Sequence, residues 1–235
     1  MPAAHGKAIS TFFFYKTRGN LRVRMPAMKK TNVIAIDGPS ASGKGTLARR
    51  IAKTLGYAYL DTGALYRAVA HIVLQANQNP DDEEQALAAA AALSSDLHPE
   101  DLRNPALRTD TVGTAASKVA KFSNVRDRLL AFQKDFAQNP PQGCMGAVLD
   151  GRDIGKLFVT ATTEVRAQRR FKELQGRGIQ TDFAAVLADM KERDARDMDR
   201  AAAPLKPASD AFILDTSAMD AEEAFKKAME IIRSR

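Results

Sequence analysis

The feature that most constrains the fold is the stretch IDGPSASGKGT, residues 36–46. Gly38, Gly43 and Lys44 match the G-x-x-x-x-G-K core of a phosphate-binding loop that follows an apolar run and opens a helical pattern. Glycines let the backbone curl so that N–H groups point at phosphate oxygens, and the helix N-terminus adds its positive dipole end. The pattern therefore predicts a nucleoside triphosphate site. Its members are Gly38, Pro39, Ser40, Ala41, Ser42, Gly43, Lys44, Gly45 and Thr46.

The remaining chain alternates short apolar runs with longer helical patterns. The predicted strands are residues 33–36, 58–60, 147–149, 157–159 and 212–214. The predicted helices are residues 44–55, 64–76, 86–92, 114–136, 164–174, 182–197 and 221–233. Such alternation indicates a parallel sheet covered on both faces. The predicted fold class is α/β: a three-layer, P-loop NTPase-type sheet of five parallel strands flanked by helices.

The net charge of +7 comes from the N-terminus, because residues 1–36 hold seven basic residues and no acidic one. The remainder is balanced, so no broad nucleic-acid-binding face is predicted. We expect residues 1–30 to form a basic, disordered extension, with a targeting peptide as the alternative. No apolar run approaches the roughly 20 residues of a membrane span. A single cysteine excludes an intramolecular disulfide, and we expect a cytoplasmic monomer.

Charged residues follow two of the predicted strands. In LDTGALYR, Thr62 and Gly63 open a helix and Arg67 lies one turn further, which suits an acceptor phosphate; a simple helix cap is the alternative. In LDGRDIG, Asp150 ends a strand and is followed by Arg152 and Asp153. Residues at the carboxyl ends of parallel strands line the ligand crevice of such sheets; a charged turn is the alternative.

A further set of charges lies in KERDARDMDRAAAP. Arg193, Arg196, Asp197 and Arg200 are spaced i, i+3, i+4 and i+7, so they are predicted to share one helix face. Transfer of a phosphoryl group between two nucleotides requires several cations around the reacting phosphates. An arginine-rich lid is therefore one interpretation of this helix, and a solvated face with weak ion pairs is the other.

The metal site departs from the commonest P-loop pattern. Gly45 follows the lysine, where many such proteins carry a Ser or Thr ligand of Mg²⁺, and Thr46 comes one residue later. We therefore expect Mg²⁺ to be held through water by Thr46 and Asp150.

The motifs of this chain and their order resemble those of bacterial cytidylate kinases, which are P-loop nucleoside monophosphate kinases. The motifs are IDGPSASGKGT, LDTGALYR, TAASKVA with NVRDRLL, LDGRDIG and RDARDMDRAAAP. The resemblance covers most of residues 31–217. It implies transfer of the γ-phosphate of ATP to CMP or dCMP, giving ADP and CDP or dCDP, with Mg²⁺ as cofactor. It also implies a kinase domain at 31–235, with a nucleoside-monophosphate-binding insertion near 77–136 and a short lid near 176–203.

The resemblance assigns roles by position. The catalytic residues would be Lys44, Arg152, Arg193 and Arg196. The CMP-binding residues would be Thr62, Tyr66, Arg67, Ser117, Arg126, Arg152, Asp153, Arg193, Asp197 and Arg200. Within this set, Asp197 would bind the ribose hydroxyls, and Ser117, Arg126 and Asp153 would lie near the cytosine. The partners implied are ATP and CMP or dCMP, with no membrane and no nucleic acid required.

Two alternatives stay open. The same fold could act on another acceptor, UMP or AMP; a small alcohol is disfavoured because it would not need the arginines of residues 193–200. The chain could also be a non-catalytic nucleotide-binding relative.

Two stretches depart from the family pattern. Residues 77–113 are too short for the small antiparallel sheet of many relatives, so we expect them to add no strand. After GRDIG the family has about nine further residues, whereas here Lys156 follows Gly155 directly. Five residues reach at most about 17 Å, and a parallel crossover must both pass a neighbouring strand and return about 17 Å along it. We therefore expect a shortened strand or a displaced Arg152 and Asp153, with impaired stability or activity.

Overall fold

The structure, a computed structural model, describes residues 14–17, 20–23, 32–97, 101–141, 143–151, 157–199 and 205–234. The chain divides into two units, Met1–Lys30 and Thr31–Arg235. In the first unit, β1 (Phe14–Thr17) pairs antiparallel with β2 (Asn20–Val23). These two strands lie within the stretch for which we predict a basic, disordered extension, and that prediction stays a prediction.

The second unit contains one five-stranded sheet of parallel strands in the order β4-β5-β3-β6-β7. Its strands are β3 (Asn32–Asp37), β4 (Ala58–Asp61), β5 (Gly146–Asp150), β6 (Leu157–Thr160) and β7 (Phe212–Asp215). All five predicted strands are confirmed, each one or two residues longer than predicted. Every residue of β5 is buried, as expected for an inner strand of a parallel sheet.

Eight α-helices are described in this unit. They are α1 (Lys44–Leu55), α2 (Thr62–Gln75), α3 (Glu83–Asp96), α4 (Asp110–Val119), α5 (Ser123–Gln138), α6 (Thr163–Gly176), α7 (Phe183–Met198) and α8 (Ala221–Arg233). The prediction of one helix at 114–136 is wrong, because Phe122 takes an extended backbone conformation between α4 and α5. No glycine or proline marks that break, so the helical pattern runs through it. The described part of residues 77–113 contains no strand, as predicted. It consists of α-helices, two short 3-10 helices and the turns between them.

Helices cover both faces of the sheet. On one face, Leu60 and Leu149 pack with α2, α4 and α5. On the other, Val148 packs with Ile51 of α1 and with α8. The alternation of Val148 and Leu149 follows from the two-residue period of a strand. No helix among the described residues is long and apolar enough to cross a membrane.

The register of β6 explains how the short connection is accommodated. β5 pairs with β3 up to Ile36↔Asp150, whereas β6 pairs with β3 only from Ile36↔Leu157. The end of β5 and the start of β6 therefore flank the same residue, and the chain need not return along a strand. Because β3 lies between them, β5 and β6 are two strand spacings apart, about 9.6 Å. Residues 151–156 are long enough to span that distance. Neither strand is shorter than predicted, so the expectation of a shortened strand is wrong. Arg152 and Asp153, whose displacement was the alternative, lie outside the described residues, and impaired stability or activity stays a prediction.

Candidate active site

The phosphate loop has the left-handed backbone that its glycines predict. Gly38 and Gly43 have φ angles of 151° and 89°, and Gly43 caps the N-terminus of α1. A Cβ atom on Gly38 would lie 2.0 Å from the carbonyl oxygen of Val159, so the loop can pass β6 only without a side chain there. Ala41 also has a positive φ of 58°, a conformation that is uncommon for residues other than glycine.

Two arginines of α6, which the sequence analysis did not single out, hold carbonyl groups of this loop. Arg166 donates through Nη1 to the Ser40 carbonyl at 3.3 Å, and the buried guanidinium also pairs with Asp194 of α7 at 2.6 Å. Arg169 donates to the Ser42 carbonyl at 3.3 Å. Both bonds engage the loop's carbonyl oxygens. The sequence signal was the i, i+3 arginine spacing in EVRAQRR.

Lys44 and Asp150 meet beside the loop. The Lys44 ammonium donates to the Pro39 carbonyl at 3.3 Å and lies 3.9 Å from Asp150 Oδ1. A Cβ atom at Gly45 would lie 2.9 Å from Asp150 Oδ2. The carboxylate thus occupies the space that a Ser or Thr at position 45 would need, which explains the departure from the commonest loop pattern.

Burial is the largest influence on the pKa values of Asp150 and its neighbour Tyr59. It raises the pKa of Asp150, and the nearby Lys44 opposes that rise. The Tyr59 hydroxyl donates to Asp150 Oδ2 at 3.3 Å. Burial, reinforced by the charge of Asp150, also raises the pKa of Tyr59 well above its ordinary range, so this hydroxyl stays a donor.

The site fits Mg²⁺ at Asp150. Its buried Oδ1 atom accepts no hydrogen bond within the described part of the chain, and hard cations prefer such oxygens. The described residues include no cluster of three or more His, Cys, Asp or Glu side chains that could hold a metal ion. Thr46, the other predicted ligand, is exposed.

A cavity of about 330 Å³ opens beside Lys44 and Asp150. It brings together ten of the predicted site residues: Ser40, Lys44, Gly45, Thr62, Tyr66, Arg67, Ser117, Arg126, Asp150 and Arg193. Arg152, Asp153 and Arg200 lie outside the described residues. Positions up to 153 residues apart in sequence, Ser40 and Arg193, thus converge at the carboxyl ends of β4 and β5, as the predicted sheet requires.

Local contacts hold the start of α2 in place at the edge of the cavity. Asp61, which the sequence analysis did not assign, accepts a hydrogen bond from the Ala64 N–H at 3.1 Å and pairs with Arg67 at 2.7 Å. The buried Thr62 hydroxyl donates to the Asp150 carbonyl at 2.9 Å, so it ties α2 to β5. The Arg126 guanidinium lies over the Tyr66 ring, 5.8 Å from its centroid.

The prediction that the charges of α7 share one face needs correction. Arg193 lines the cavity, and Asp197, one helical turn further, is completely buried and does not line it. Arg196 is exposed and lies 3.8 Å from Glu192. At 100° per residue, Arg196 is rotated about 60° from Arg193 and about 100° from Asp197, so it turns to solvent.

The cavity also has a basic rim that the sequence analysis missed. Arg170 of α6 pairs with Asp110 of α4 and, at 2.9 Å, with Glu173. Arg177 donates to the Arg108 carbonyl at 3.3 Å. Among the described lining residues, eight Lys and Arg outnumber four Asp and Glu, so the cavity suits an anion.

Known proteins with similar sequences share one description. A sequence profile of the family described as cytidylate kinase matches residues 34–234. A cytidylate kinase of Paramagnetospirillum magneticum is 54% identical over 214 residues, covering 87% of this chain and 99% of the relative. The cytidylate kinase of Rhodospirillum rubrum is 54% identical over 209 residues, covering 85% and 96%.

The first alignment also bears on the short connection. It runs over 214 residues, whereas 87% of 235 residues is about 204. The alignment thus contains about ten positions at which this chain has no residue, a number of the size of the connector expected after Gly155.

Proposed function

Because the chain belongs to the cytidylate kinase family, we propose that it transfers the γ-phosphate of ATP to CMP or dCMP, giving ADP and CDP or dCDP. The observation that carries this proposal is the shared cavity: Lys44 of the phosphate loop lines the same 330 Å³ space as Arg67, Arg126 and Arg193. Donor and acceptor phosphates would meet there with their charges neutralised.

Transfer in such a site depends on position and charge rather than on covalent chemistry. The loop N–H groups and Lys44 would hold the ATP phosphates. Arg67, fixed by Asp61, would hold the acceptor phosphate, and Arg193 would neutralise charge that develops on the transferred group. Exposed Arg196 would join them only after a movement of the lid.

The acceptor base would lie between the insertion and α2. Cytosine offers an amino donor and carbonyl acceptor, which Ser117, Arg126 and the predicted Asp153 can match. The Tyr66 ring, under the Arg126 guanidinium, adds an apolar surface. Asp197 is buried, so its proposed contact with the ribose requires the cavity to open.

Asp150, directly or through water, would hold Mg²⁺, with Thr46 as the second predicted ligand. When bound, Mg²⁺ supplies positive charge that neutralises the phosphate oxygens. A monomeric, cytoplasmic enzyme remains our expectation.

A coupled assay of ADP release tests the proposal, with ATP and Mg²⁺ and with CMP, dCMP, UMP or AMP offered in turn. We expect turnover with CMP and dCMP. Lys44→Ala should lower it by about three orders of magnitude, since single charge-stabilising donors contribute 10²–10³. Lys53→Ala, on the exposed end of the same helix, is the matched control and should stay near wild type.

The other acceptors separate the competing functions. Faster turnover of UMP or AMP than of CMP would reassign the acceptor while keeping the fold. A folded protein that binds ATP but phosphorylates none of the four would be the non-catalytic relative.

A further inference from the structure

Tyr59 approaches Asp150 across two neighbouring strands. In the pairing of β4 with β5, Tyr59 lies opposite Val148, and Asp61 lies opposite Asp150. Side chains two residues apart in a strand point to the same face, so Tyr59 and Asp150 are diagonal neighbours on one face of the sheet. Long side chains bridge such diagonals, and here the hydroxyl reaches Oδ2 at 3.3 Å.

The two oxygens of Asp150 have different surroundings. Oδ2 accepts the Tyr59 hydrogen bond and lies against Gly45, where a Cβ atom would be 2.9 Å away. Oδ1 lies 3.9 Å from the Lys44 ammonium and has no hydrogen-bond partner within the described residues. Oδ2 is therefore anchored by the Tyr59 hydroxyl, and Oδ1 faces the Lys44 ammonium.

The tyrosine ring is itself held. It packs partly buried against the cluster formed by α1, β5 and α8, and the Arg49 guanidinium lies 5.7 Å from its centroid. These contacts involve the ring rather than the hydroxyl. A phenylalanine in its place would keep them and lose only the donor to Asp150.

We infer that Tyr59 is a positioning residue, whose hydroxyl holds Oδ2 of Asp150 so that Oδ1 faces Lys44 and the metal of the bound nucleotide. The inference rests on the proposed function, since it assumes that Asp150 holds the Mg²⁺ of the triphosphate. Tyr59 does not touch the reacting atoms; it acts through Asp150.

The test compares Tyr59→Phe with Tyr57→Phe in the full chain. Tyr57 is the matched control because it packs in the same cluster, but its ring lies beside Gly146 rather than Asp150. Mn²⁺ affinity is measured by electron paramagnetic resonance in the presence of a non-hydrolysable ATP analogue. Partners of a metal ligand typically contribute 10–100-fold in metal affinity or activity. We expect Tyr59→Phe to weaken Mn²⁺ binding about 10-fold and Tyr57→Phe to leave it unchanged.

Turnover provides the second readout. Tyr59→Phe should lower kcat about 10-fold while KM for CMP stays within about twofold, because the acceptor cavity is untouched. Mn²⁺ affinity of Tyr59→Phe within about twofold of wild type, equal losses in both variants, or no Mn²⁺ binding by the wild-type complex would each overturn the inference. If the wild-type protein binds Mn²⁺ but phosphorylates no acceptor, the proposed function fails, and the Mn²⁺ comparison still decides the role of Tyr59.

Discussion

Two sets of ion pairs join distant parts of the chain, and they differ in burial. Arg166 of α6 pairs with Asp194 of α7 with side chains 5% and 16% exposed, and Arg166 also binds the Ser40 carbonyl. Asp81 pairs with Lys118 at 2.7 Å and Lys121 at 2.8 Å, and these three side chains are 39–47% exposed. The first set holds the phosphate loop, whereas the second holds parts of the insertion together.

The comparison shows that the charge pattern does not reveal an ion pair's contribution. Breaking a buried pair leaves a charge without solvent or partner, which is strongly destabilising. An exposed pair is screened and contributes little. The buried pair therefore fixes the phosphate loop to α7, whereas the exposed pairs of Asp81 add little to the hydrophobic packing that holds the insertion.

The largest expected effect comes from Arg166→Ala. The substitution leaves the mostly buried Asp194 without its partner and the Ser40 carbonyl without its donor. We expect the free energy of unfolding to fall by about 3–5 kcal/mol, measured by urea denaturation. Lys227→Ala, which breaks an exposed pair with Glu230 on α8, is the control. A loss below about 1 kcal/mol for Arg166→Ala would mean that the buried and the exposed ion pairs contribute equally little to the free energy of unfolding.

Arg126→Ala tests an arginine that lines the cavity, for comparison with Arg166, which holds the phosphate loop. Its guanidinium lies over the Tyr66 ring, and we propose that it contacts the acceptor base. We expect KM for CMP to rise about 10-fold, equivalent to about 1.4 kcal/mol, with a smaller change in stability than for Arg166→Ala. The control is Arg128→Ala, an exposed arginine on the same helix. Equal KM values for both variants would remove Arg126 from the acceptor site.

The sequence predicted the strands and the phosphate loop because both depend on local signals. The run at residues 33–36, the glycines and Lys44 specify a strand, a curled loop and a helix start without long-range information. Arg166 and Arg196 show where this limit lies. Both belong to arginine-rich helices, yet one is buried and the other exposed, because tertiary packing decides which face of each helix meets the loop.

The register of β6 against β3 also could not be predicted from the local sequence. A return along the strand is needed only if β5 and β6 start at the same height, whereas the pairing partners of Ile36 show that β6 starts where β5 ends. Strand length and apolar character predict a strand, but its displacement depends on its neighbours. The prediction of a shortened strand was therefore wrong, because the sequence does not reveal the register of β6.

Insertion of nine residues between Gly155 and Lys156 tests this revised view. The strands are already in register, so the longer connection should mainly add loop-closure entropy. Extending it from about six to about fifteen residues costs about 0.8 kcal/mol by the logarithmic length dependence, measured as a lower free energy of unfolding. A rise in melting temperature or in turnover would show instead that the short connection impairs this chain, as its sequence indicates.

The smallest expected effect is that of Asp81→Asn, which breaks the exposed set. Hydrogen bonds from Lys118 and then Lys121 lower the pKa of Asp81 in the folded protein. Its contribution to stability is therefore fully present above the unfolded pKa of about 3.9 and is lost as the pH falls through the lower folded pKa. Because the carboxylate is exposed and screened, we expect a loss of only about 0.5 kcal/mol at pH 7.

Urea denaturation at several pH values measures this difference. It should shrink in 0.5 M NaCl, whose Debye length is only about 4 Å, and vanish at strongly acidic pH, where Asp81 is protonated in both states. Asp127→Asn, at an exposed position of α5, controls for the loss of one negative charge. A loss comparable to that of Arg166→Ala would mean that the exposed pairs of Asp81 contribute as much to stability as the buried pair of Arg166, and the contrast between the two sets would fail.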